Sequence, residues 1–272
     1  MSGPLEIVFL SSGSSGNCAA VRCGGTLLLL DAGLSVRETD RRLRACGATL
    51  DEVRGVFITH EHSDHVRSAA DLAVRKGIPV WATAGTAEAA RLPGPLLADI
   101  RILPRGGEVA VGEILVRAVS TPHDGVESVC YRFSDGAGRR IGVVTDLGHL
   151  SDEVVEALAG CGVLGLEFNH DVELLRTGPY PAFLKRRILS DVGHLSNAAA
   201  AAGLRALVGA RTRAVAALHL SRQNNTPALA GRAIAEALQE LGVRLPLEVG
   251  APDRPGRWTT TNESDRSHEV PS

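Results

Sequence analysis

The sequence predicts an α/β fold built around two β-sheets, and three observations lead to that class. Strand-like runs of apolar and β-branched residues open each half of the chain, and helical patterns are interspersed among them. The apolar share is 44%, which is enough for a substantial core in a chain of 272 residues. Aromatic residues make up only 3%, so that core must consist mainly of aliphatic side chains.

The first half of the chain alternates short apolar runs with helical segments. Two of the runs are joined by Gly24-Gly25, a turn signal typical of a hairpin. The predicted strands are residues 5–10, 18–22, 26–30, 53–59 and 79–83, and the predicted helices are residues 36–46 and 64–76.

The second half continues in the same way and then becomes polar. Strands are predicted at residues 100–103, 109–119, 128–133, 140–145 and 213–219, and helices at residues 151–160, 180–190, 196–210 and 228–241. From residue 252 onwards Pro, Ser, Thr, Asp and Arg dominate. We therefore predict one folded domain over residues 1–251 and a disordered tail over residues 252–272.

Charge and cysteine content narrow the possible functions. The net charge is −2, so no global basic field indicates a nucleic-acid binder, although a local patch could still hold phosphates. The five cysteines are scattered without a C-x-x-C pair and predict neither a zinc knuckle nor a disulfide framework. No signal peptide or membrane span is recognisable. We expect a cytoplasmic protein without a membrane partner, whose oligomeric state the sequence leaves open.

Three histidines and a carboxylate are concentrated where the strand at residues 53–59 ends. His60 and His62 are two positions apart in an extended backbone and can aim at one point. Asp64 and His65 follow at the start of a helix and can aim at a second point nearby. Neutral imidazole and carboxylate are ligands for Zn²⁺, Mn²⁺ and iron. A solvated polar loop is the alternative, but strand ends rarely carry three histidines.

Further candidate ligands stand at other predicted strand ends. His123, Asp146 and His219 each follow an apolar run. Taken singly, Asp146 could instead cap a helix, and His123 or His219 could be a buried, satisfied histidine. Together with the first cluster they predict a metal site closed by rigid strand ends.

The pattern H-x-H-x-D-H, followed by a lone His, a lone Asp and a final His, resembles the metallo-β-lactamase fold superfamily. Further segments resemble its WalJ/YycJ branch: SSGSSGN at 11–17, DAGLS at 31–35, EFNHD at 167–171, GHLSN at 193–197 and HLSRQNN at 219–225. The resemblance covers about residues 5–245. It implies a four-layer αβ/βα sandwich and a 5′→3′ exonuclease on double-stranded DNA.

The resemblance also implies a dinuclear centre with Zn²⁺ or Mn²⁺ as its two metals. The first metal would be bound by His60, His62 and His123, the second by Asp64, His65 and His219, and Asp146 would bridge the two. A hydroxide between the cations would attack phosphorus, because two close cations lower the pKa of water towards neutrality. Asp64 is assigned a second, catalytic task, which is to orient that nucleophile.

His194 is predicted to be a catalytic residue. Its neighbour Gly193 allows the backbone to come close to a ligand. In related phosphodiesterases a histidine in this position contacts the phosphate and protonates the leaving oxygen, and Glu167 resembles the carboxylate that orients it. An unactivated phosphodiester needs such a proton. The alternative is a helix start capped by Ser196 or Asn197, with His194 exposed.

The substrate side is predicted from residues near these motifs. Asn169 and His170 follow the apolar run at 163–168 and are assigned to substrate binding, with a role behind the metal ligands as the alternative. Ser221 and Arg222 follow the last ligand and are assigned to the substrate as well. The basic run at 185–187 could grip a DNA backbone or could be a solvated helix face.

Two other hypotheses remain beside the DNA exonuclease. One is a hydrolase of a small or cyclic phosphodiester, and the other is a non-catalytic metal-binding protein, which the complete ligand set disfavours. A tRNA-processing ribonuclease is less favoured, because the chain lacks the long Gly/Pro-rich insertion by which those relatives capture tRNA.

Overall fold

Two seven-stranded β-sheets face each other in the computed structural model, which describes residues 3–94 and 98–262. Across the first sheet, the strands are β14 (Thr259–Thr260), β1 (Glu6–Ser11), β2 (Cys18–Cys23), β3 (Thr26–Leu30), β4 (Val53–Phe57), β5 (Val80–Ala82) and β6 (Ile100–Ile102). Across the second sheet they are β13 (Leu247–Val249), β12 (Ala214–Leu218), β11 (Val163–Glu167), β10 (Arg140–Val144), β9 (Val129–Asp135), β8 (Ile114–Ser120) and β7 (Glu108–Val111).

Helices connect the strands, and six of the nine named here begin at a side-chain cap. They are α1 (Val36–Ala45), α2 (Ser63–Val66), α3 (Ala69–Lys76), α4 (Ala84–Ala89), α5 (Asp152–Leu158), α6 (Val172–Thr177), α7 (Ala182–Ile188), α8 (Asn197–Leu207) and α9 (Pro227–Glu240). A side-chain oxygen accepts a first-turn N–H at Ser35, Thr83, Ser151, Asp171, Ser196 and Thr226. Such caps satisfy backbone donors that have no partner within the helix.

Three apolar clusters hold the layers together. The central cluster lies between the sheets and contains Leu28, Tyr131 and Phe133, all fully buried. A second cluster packs α5, α8 and α9 against the outer face of the second sheet. A third packs α1 and α3 against the outer face of the first sheet. The resulting order of helices, sheet, sheet, helices confirms the predicted α/β class and the four-layer αβ/βα sandwich.

Parallel pairing brings several strand ends to one edge of the sandwich. In the first sheet β3, β4 and β5 run parallel, and in the second sheet β10, β11 and β12 do so. Carboxyl ends of parallel strands lie on the same edge of a sheet. The residues that follow β3, β4, β10 and β12, and the last residue of β11, therefore meet at this edge.

Two predicted elements are divided in the structure. The helix predicted over residues 64–76 is broken at Ser68, whose backbone N–H and hydroxyl both donate to the carbonyl of Ala32. The strand predicted over residues 109–119 is a hairpin, β7 and β8, that turns at Gly112 and Glu113. Gly112 has φ +56°, a left-handed conformation that glycine adopts without strain.

The polar segment after residue 252 is partly ordered, which corrects the predicted start of the tail. β14 pairs antiparallel with β1 and extends the first sheet. The Trp258 indole N–H donates to the carbonyl of Cys46 at 2.8 Å, and the guanidinium of Arg22 lies over its ring. The contacts of Trp258 and the pairing of β14 with the edge of the first sheet thus order this segment despite its polar composition. The predicted disorder of residues 263–272 lies outside the described residues.

No helix within residues 3–94 and 98–262 is both long enough and apolar enough to cross a bilayer.

The strand that leads into the histidine motif depends on a close approach to an aromatic ring. A Cβ added at Gly55 would lie 2.3 Å from Cζ3 of Trp81, and the Trp81 ring stacks on Phe57 with centroids 4.9 Å apart. We expect Gly55→Ala to destabilise the protein by about 1–3 kcal/mol, as overpacked cores do. The thermal unfolding midpoint measures this change.

Gly136→Ala is the matched control, because a Cβ at Gly136 meets nothing within 4 Å. An unfolding midpoint that falls equally in both variants would contradict the packing argument at Gly55.

Candidate metal centre

The shared edge of the two sheets collects the predicted metal ligands. Asp31 follows β3, Asp146 follows β10 and His219 follows β12, while the motif that begins at His60 follows β4. Asp31, Asp146 and His219 have φ values of 60°, 59° and 54°. Left-handed backbone costs a residue other than glycine about 1–3 kcal/mol and persists where its surroundings fix it. This conformational cost falls at the three positions where the backbone directs a side chain towards the centre.

The structure brings all seven predicted ligands together. His60, His62 and His123 form one group, Asp64, His65 and His219 a second, and His60, His65 and Asp146 a third, with the donor atoms of each group within 4.8 Å of one another. The first two groups have the composition predicted for the two metals. The third contains Asp146 and a histidine from each, as a bridging position requires. The assignment of each residue to a metal remains a prediction.

Two observations indicate that these residues suit divalent cations. His60 is 2% exposed, and its Nε2 has no hydrogen-bond partner within the described residues although the atom is fully buried. A buried nitrogen without a partner is costly unless it binds something. The donors are imidazoles and carboxylates, which suit Zn²⁺ and Mn²⁺. The centre thus has the chemistry of a divalent metal site.

The charged groups of the centre shift one another's pKa values. Burial favours the neutral acid at Asp146, but the neighbouring imidazoles of His219 and His65 hold its pKa well below the usual range. Burial lowers the pKa of His219, but Asp146 and the nearby carboxylates outweigh it and raise the pKa to about 10. Burial, together with the neighbouring histidines, keeps the pKa of His60 well below its usual value. His60 is consequently a neutral imidazole with a free lone pair.

A buried network behind the ligands fixes their orientation. Asp31 Oδ2 accepts the Nδ1–H of His65 at 2.8 Å, and Asp31 Oδ1 accepts the backbone N–H of Thr59 at 2.9 Å. The Thr59 hydroxyl lies 2.9 Å from Nδ1 of His60. A partner at Nδ1 selects the tautomer whose Nε2 can coordinate a metal. Asp31 is part of the DAGLS segment, but its supporting role was not predicted from the sequence.

Glu167 connects the predicted acid to the ligands. Its Oε1 accepts the Nδ1–H of His194 at 2.8 Å and that of His219 at 3.0 Å. Its Oε2 accepts the backbone N–H groups of Leu195 and Leu147. Burial favours the neutral acid, but the two histidines lower the pKa of Glu167 to about 2, so it is a carboxylate. With Nδ1 committed to Glu167, His194 has Nε2 left for a substrate, and 20% of its side chain is exposed.

The loop around His194 combines the helix cap of one interpretation with the inward-facing histidine of the other. Ser196 caps α8, as the alternative expected. His194 is nevertheless turned towards Glu167 and does not extend into solvent. The cap uses Ser196 and leaves the His194 imidazole free, so the predicted catalytic role of His194 is compatible with the cap.

The predicted substrate-binding residues divide by exposure. Asn169, His170 and Ser221 are 4%, 1% and 7% exposed, and direct contact with substrate would require more open side chains. Asn169 Nδ2 donates to the carbonyl of the predicted ligand His219 at 2.9 Å, which is compatible with the alternative role behind the ligands. The Ser221 hydroxyl accepts the N–H of Asn224. Arg222 is exposed at the rim and donates to the hydroxyl of Ser15.

Two further residues lie at the centre although no site role was predicted for them. Asn17 Nδ2 donates to Asp64 Oδ2 at 3.2 Å. Asp124 Oδ1 lies 3.5 Å from Nε2 of His62 and 3.3 Å from Nε2 of His123. Asn17 ends the SSGSSGN segment and Asp124 follows a predicted ligand, so their proximity to motif residues was the available signal.

Comparison with known proteins agrees with this architecture. Facing sheets with a histidine-rich metal centre at their common edge define a protein of the metallo-β-lactamase fold. A crystal structure of the metallo-beta-lactamase fold protein YhfI from Bacillus subtilis superposes with a TM-score of 0.71 over 93% of this chain and 100% of that one, at 13% identity. At that identity the likeness shows the fold alone.

The sequence relatives are more specific. Residues 26–220 match the Beta-lactamase superfamily domain. Exodeoxyribonuclease YycJ of Bacillus anthracis is 36% identical over 88% of this chain and 90% of its own length. Exodeoxyribonuclease WalJ of Streptococcus pneumoniae is 34% identical over 88% of this chain and 91% of its own. The chain therefore belongs to the beta-lactamase superfamily and, within it, to the YycJ/WalJ family, which confirms the predicted resemblance.

The network at Asp31 predicts a measurable change in metal affinity. Asp31→Asn removes the charge that selects the His65 tautomer, and we expect divalent metal to bind about 10- to 100-fold more weakly, as with other residues that orient ligands. Competition with a chromophoric chelator measures the dissociation constant for Zn²⁺.

Asp71→Asn is the control, because the Asp71 side chain is half exposed and forms an ion pair with Arg75 on the surface of α3. Equal zinc affinity in the wild type and Asp31→Asn would show that Asp31 does not orient a ligand.

Proposed function

We propose that this chain is a dinuclear-metal phosphodiesterase that acts as a 5′→3′ exonuclease on double-stranded DNA. The observation that carries the proposal is the buried Glu167 carboxylate, which orients both His194 and the ligand His219. It joins a proton donor to the ligand set, as hydrolysis of an unactivated phosphodiester requires. The YycJ and WalJ relatives, both named exodeoxyribonucleases, support DNA as the substrate.

The metals would be held by the two groups at the strand ends. His60, His62 and His123 would bind one cation, Asp64, His65 and His219 the other, and Asp146 would contact both. When bound, two such cations supply an activated water and neutralise charge on the phosphoryl oxygens. Asp64 is our candidate for orienting the attacking water, because its side chain is 19% exposed while Asp146 is enclosed.

His194 would complete the reaction by giving a proton to the leaving alkoxide. Its Nδ1–H is held by Glu167, so the imidazole cannot rotate freely and the proton for transfer resides on Nε2. Glu167 stabilises the imidazolium before transfer and is itself held by two backbone N–H groups. Glu167 is thus a positioning residue, and His194 is the catalytic residue of the pair.

We infer a cytoplasmic location as part of this proposal. The five cysteines are all free, although Cys18, Cys23, Cys130 and Cys161 are buried and Cys46 is partly buried. Unpaired cysteines are typical of proteins in a reducing compartment. The proposed substrate, DNA, is present in that compartment.

The proposal predicts metal-dependent digestion from the 5′ end. Protein stripped with chelator and reloaded with Mn²⁺ or Zn²⁺ should release short products from 5′-labelled linear duplex DNA, and unloaded protein should not. Gel electrophoresis of the products measures both the rate and the direction.

A different substrate would give a different result. Turnover of bis-p-nitrophenyl phosphate without DNA digestion would move the function to a small-molecule phosphodiesterase. Loss of both activities in metal-loaded protein would favour the non-catalytic hypothesis.

The acid role predicts a dependence on the leaving group. His194→Ala should slow DNA hydrolysis by about 10²–10⁴-fold, because the alkoxide then leaves without a proton. Bis-p-nitrophenyl phosphate releases a stabilised phenolate, so its hydrolysis should fall much less. Turnover numbers for the two substrates give the comparison.

His149→Ala serves as the control, since His149 is an exposed histidine bonded to the carbonyl of Asp191. An equal loss of both activities in His194→Ala would assign His194 to the structure of the centre and not to proton transfer.

A further inference from the structure

Helix α7 presents an exposed aromatic side chain in a protein that buries such residues. Phe183 is 67% exposed, whereas the other four phenylalanines of the chain are buried. Leu189, at the end of α7, and Val192 are 46% and 43% exposed. These three exposed apolar side chains lie within ten consecutive residues of the chain, and apolar surface patches mark binding sites.

The helix is fastened to the metal centre at three points. Arg187 Nε donates to Asp124 Oδ2 at 2.5 Å, and Asp124 in turn lies 3.3 Å from Nε2 of His123. The N–H of His194 donates to the carbonyl of Ile188 at 3.0 Å. The Nδ1–H of His123 donates to the carbonyl of Val192 at 3.1 Å. The helix and the turn after it therefore form one wall of the centre.

Helix spacing places Phe183 on the same side of α7 as Arg187, which contacts Asp124. It precedes Arg187 by four residues, and positions i and i+4 of a helix share a face. The contact between Arg187 and Asp124 directs that face towards the predicted ligands. Phe183 lies one helical turn before Arg187 on that face, and 67% of it is exposed.

Positive charge accompanies the apolar surface. Arg186 is exposed and has no ion pair within the part of the chain that the structure describes. Lys185 donates to the carbonyl of Arg176 at the end of α6, which holds its charge beside α7. An aromatic ring next to unpaired arginine is the combination that binds single nucleotides, since bases stack on the ring and phosphates pair with the cation.

We propose that Phe183, Arg186, Leu189 and Val192 form a stacking platform for the terminal base of the DNA strand being digested. The platform would hold that base beside the centre while the adjoining phosphodiester reaches the metals. Stacking accepts every base, which suits an enzyme that removes nucleotides irrespective of sequence. The inference rests on the proposed exonuclease function and specifies which part of the substrate the wall recognises.

The test uses a duplex with 2-aminopurine at its 5′ end and phosphorothioate linkages that resist cleavage. Metal-loaded wild-type protein should quench the fluorescence of the terminal base, because a stacked 2-aminopurine is dark. Phe183→Ala should bind the duplex about 5- to 100-fold more weakly and lose the quenching, as expected for one base–aromatic stack. Phe183→Trp should restore both, and Phe183→Leu should not.

Val74→Ala is the matched control, because Val74 is 53% exposed on α3 and lies outside this wall. Thermal unfolding of each variant shows whether it is folded. Unchanged affinity and quenching in folded Phe183→Ala would overturn the platform. So would a wild-type dimer, seen by sedimentation, that Phe183→Ala dissociates while DNA binding persists, because the platform would then be a contact between copies.

Failure of the proposed function has a separate signature. Wild-type protein that hydrolyses bis-p-nitrophenyl phosphate but neither binds nor digests duplex DNA would reject the exonuclease itself, and the platform with it. Digestion by wild type with an unaltered KM for DNA in Phe183→Ala would reject the platform alone.

Discussion

The convergence of parallel strand ends on one edge of the sandwich is the constraint from which the rest of the site follows. β3 and β4 carry Asp31 and the histidine motif to that edge, and β10, β11 and β12 carry Asp146, Glu167 and His219. The apolar clusters on both sides of each sheet fix the strands. Ligand positions are therefore set by the packing of the core and not by flexible loops, as a preorganised centre requires.

Electrostatics explains why such a centre needs its cations. Asp31, Asp64, Asp146 and Glu167 lie close together with little access to water. Isolated buried carboxylates are strongly unfavourable, and the surrounding histidines compensate them only by taking protons. A histidine that carries a proton on both nitrogens cannot bind a metal. Metal binding thus replaces those protons with divalent charge. The affinity of the centre for metal therefore depends on pH through the same histidines and carboxylates.

Much of the fold and the ligand set was predictable because the signals are local. Apolar runs identified most strands, and polar residues directly after them identified His60, Asp146 and His219. The helices α4 and α6 were missed because they are short, with six residues each, and depend on the caps Thr83 and Asp171. The role of Asp31 was not predictable, since it depends on a pairing between β3 and β4 that brings together residues 34 positions apart.

The two sides of the centre differ in a way that suits chemistry on a polymer. On the second sheet Glu167 is enclosed and saturated with hydrogen bonds, so His194 and His219 are held rigidly. On the side of α7 the support is the partly exposed pair of Arg187 and Asp124. Reacting groups need exact placement, whereas a strand that advances after each cleavage needs a surface that releases it. The proposed aromatic and basic wall would meet that second need, because stacking and phosphate contacts are individually weak. Under the proposed function, the distribution of burial around the centre would separate the groups that act on the bond from those that hold the substrate.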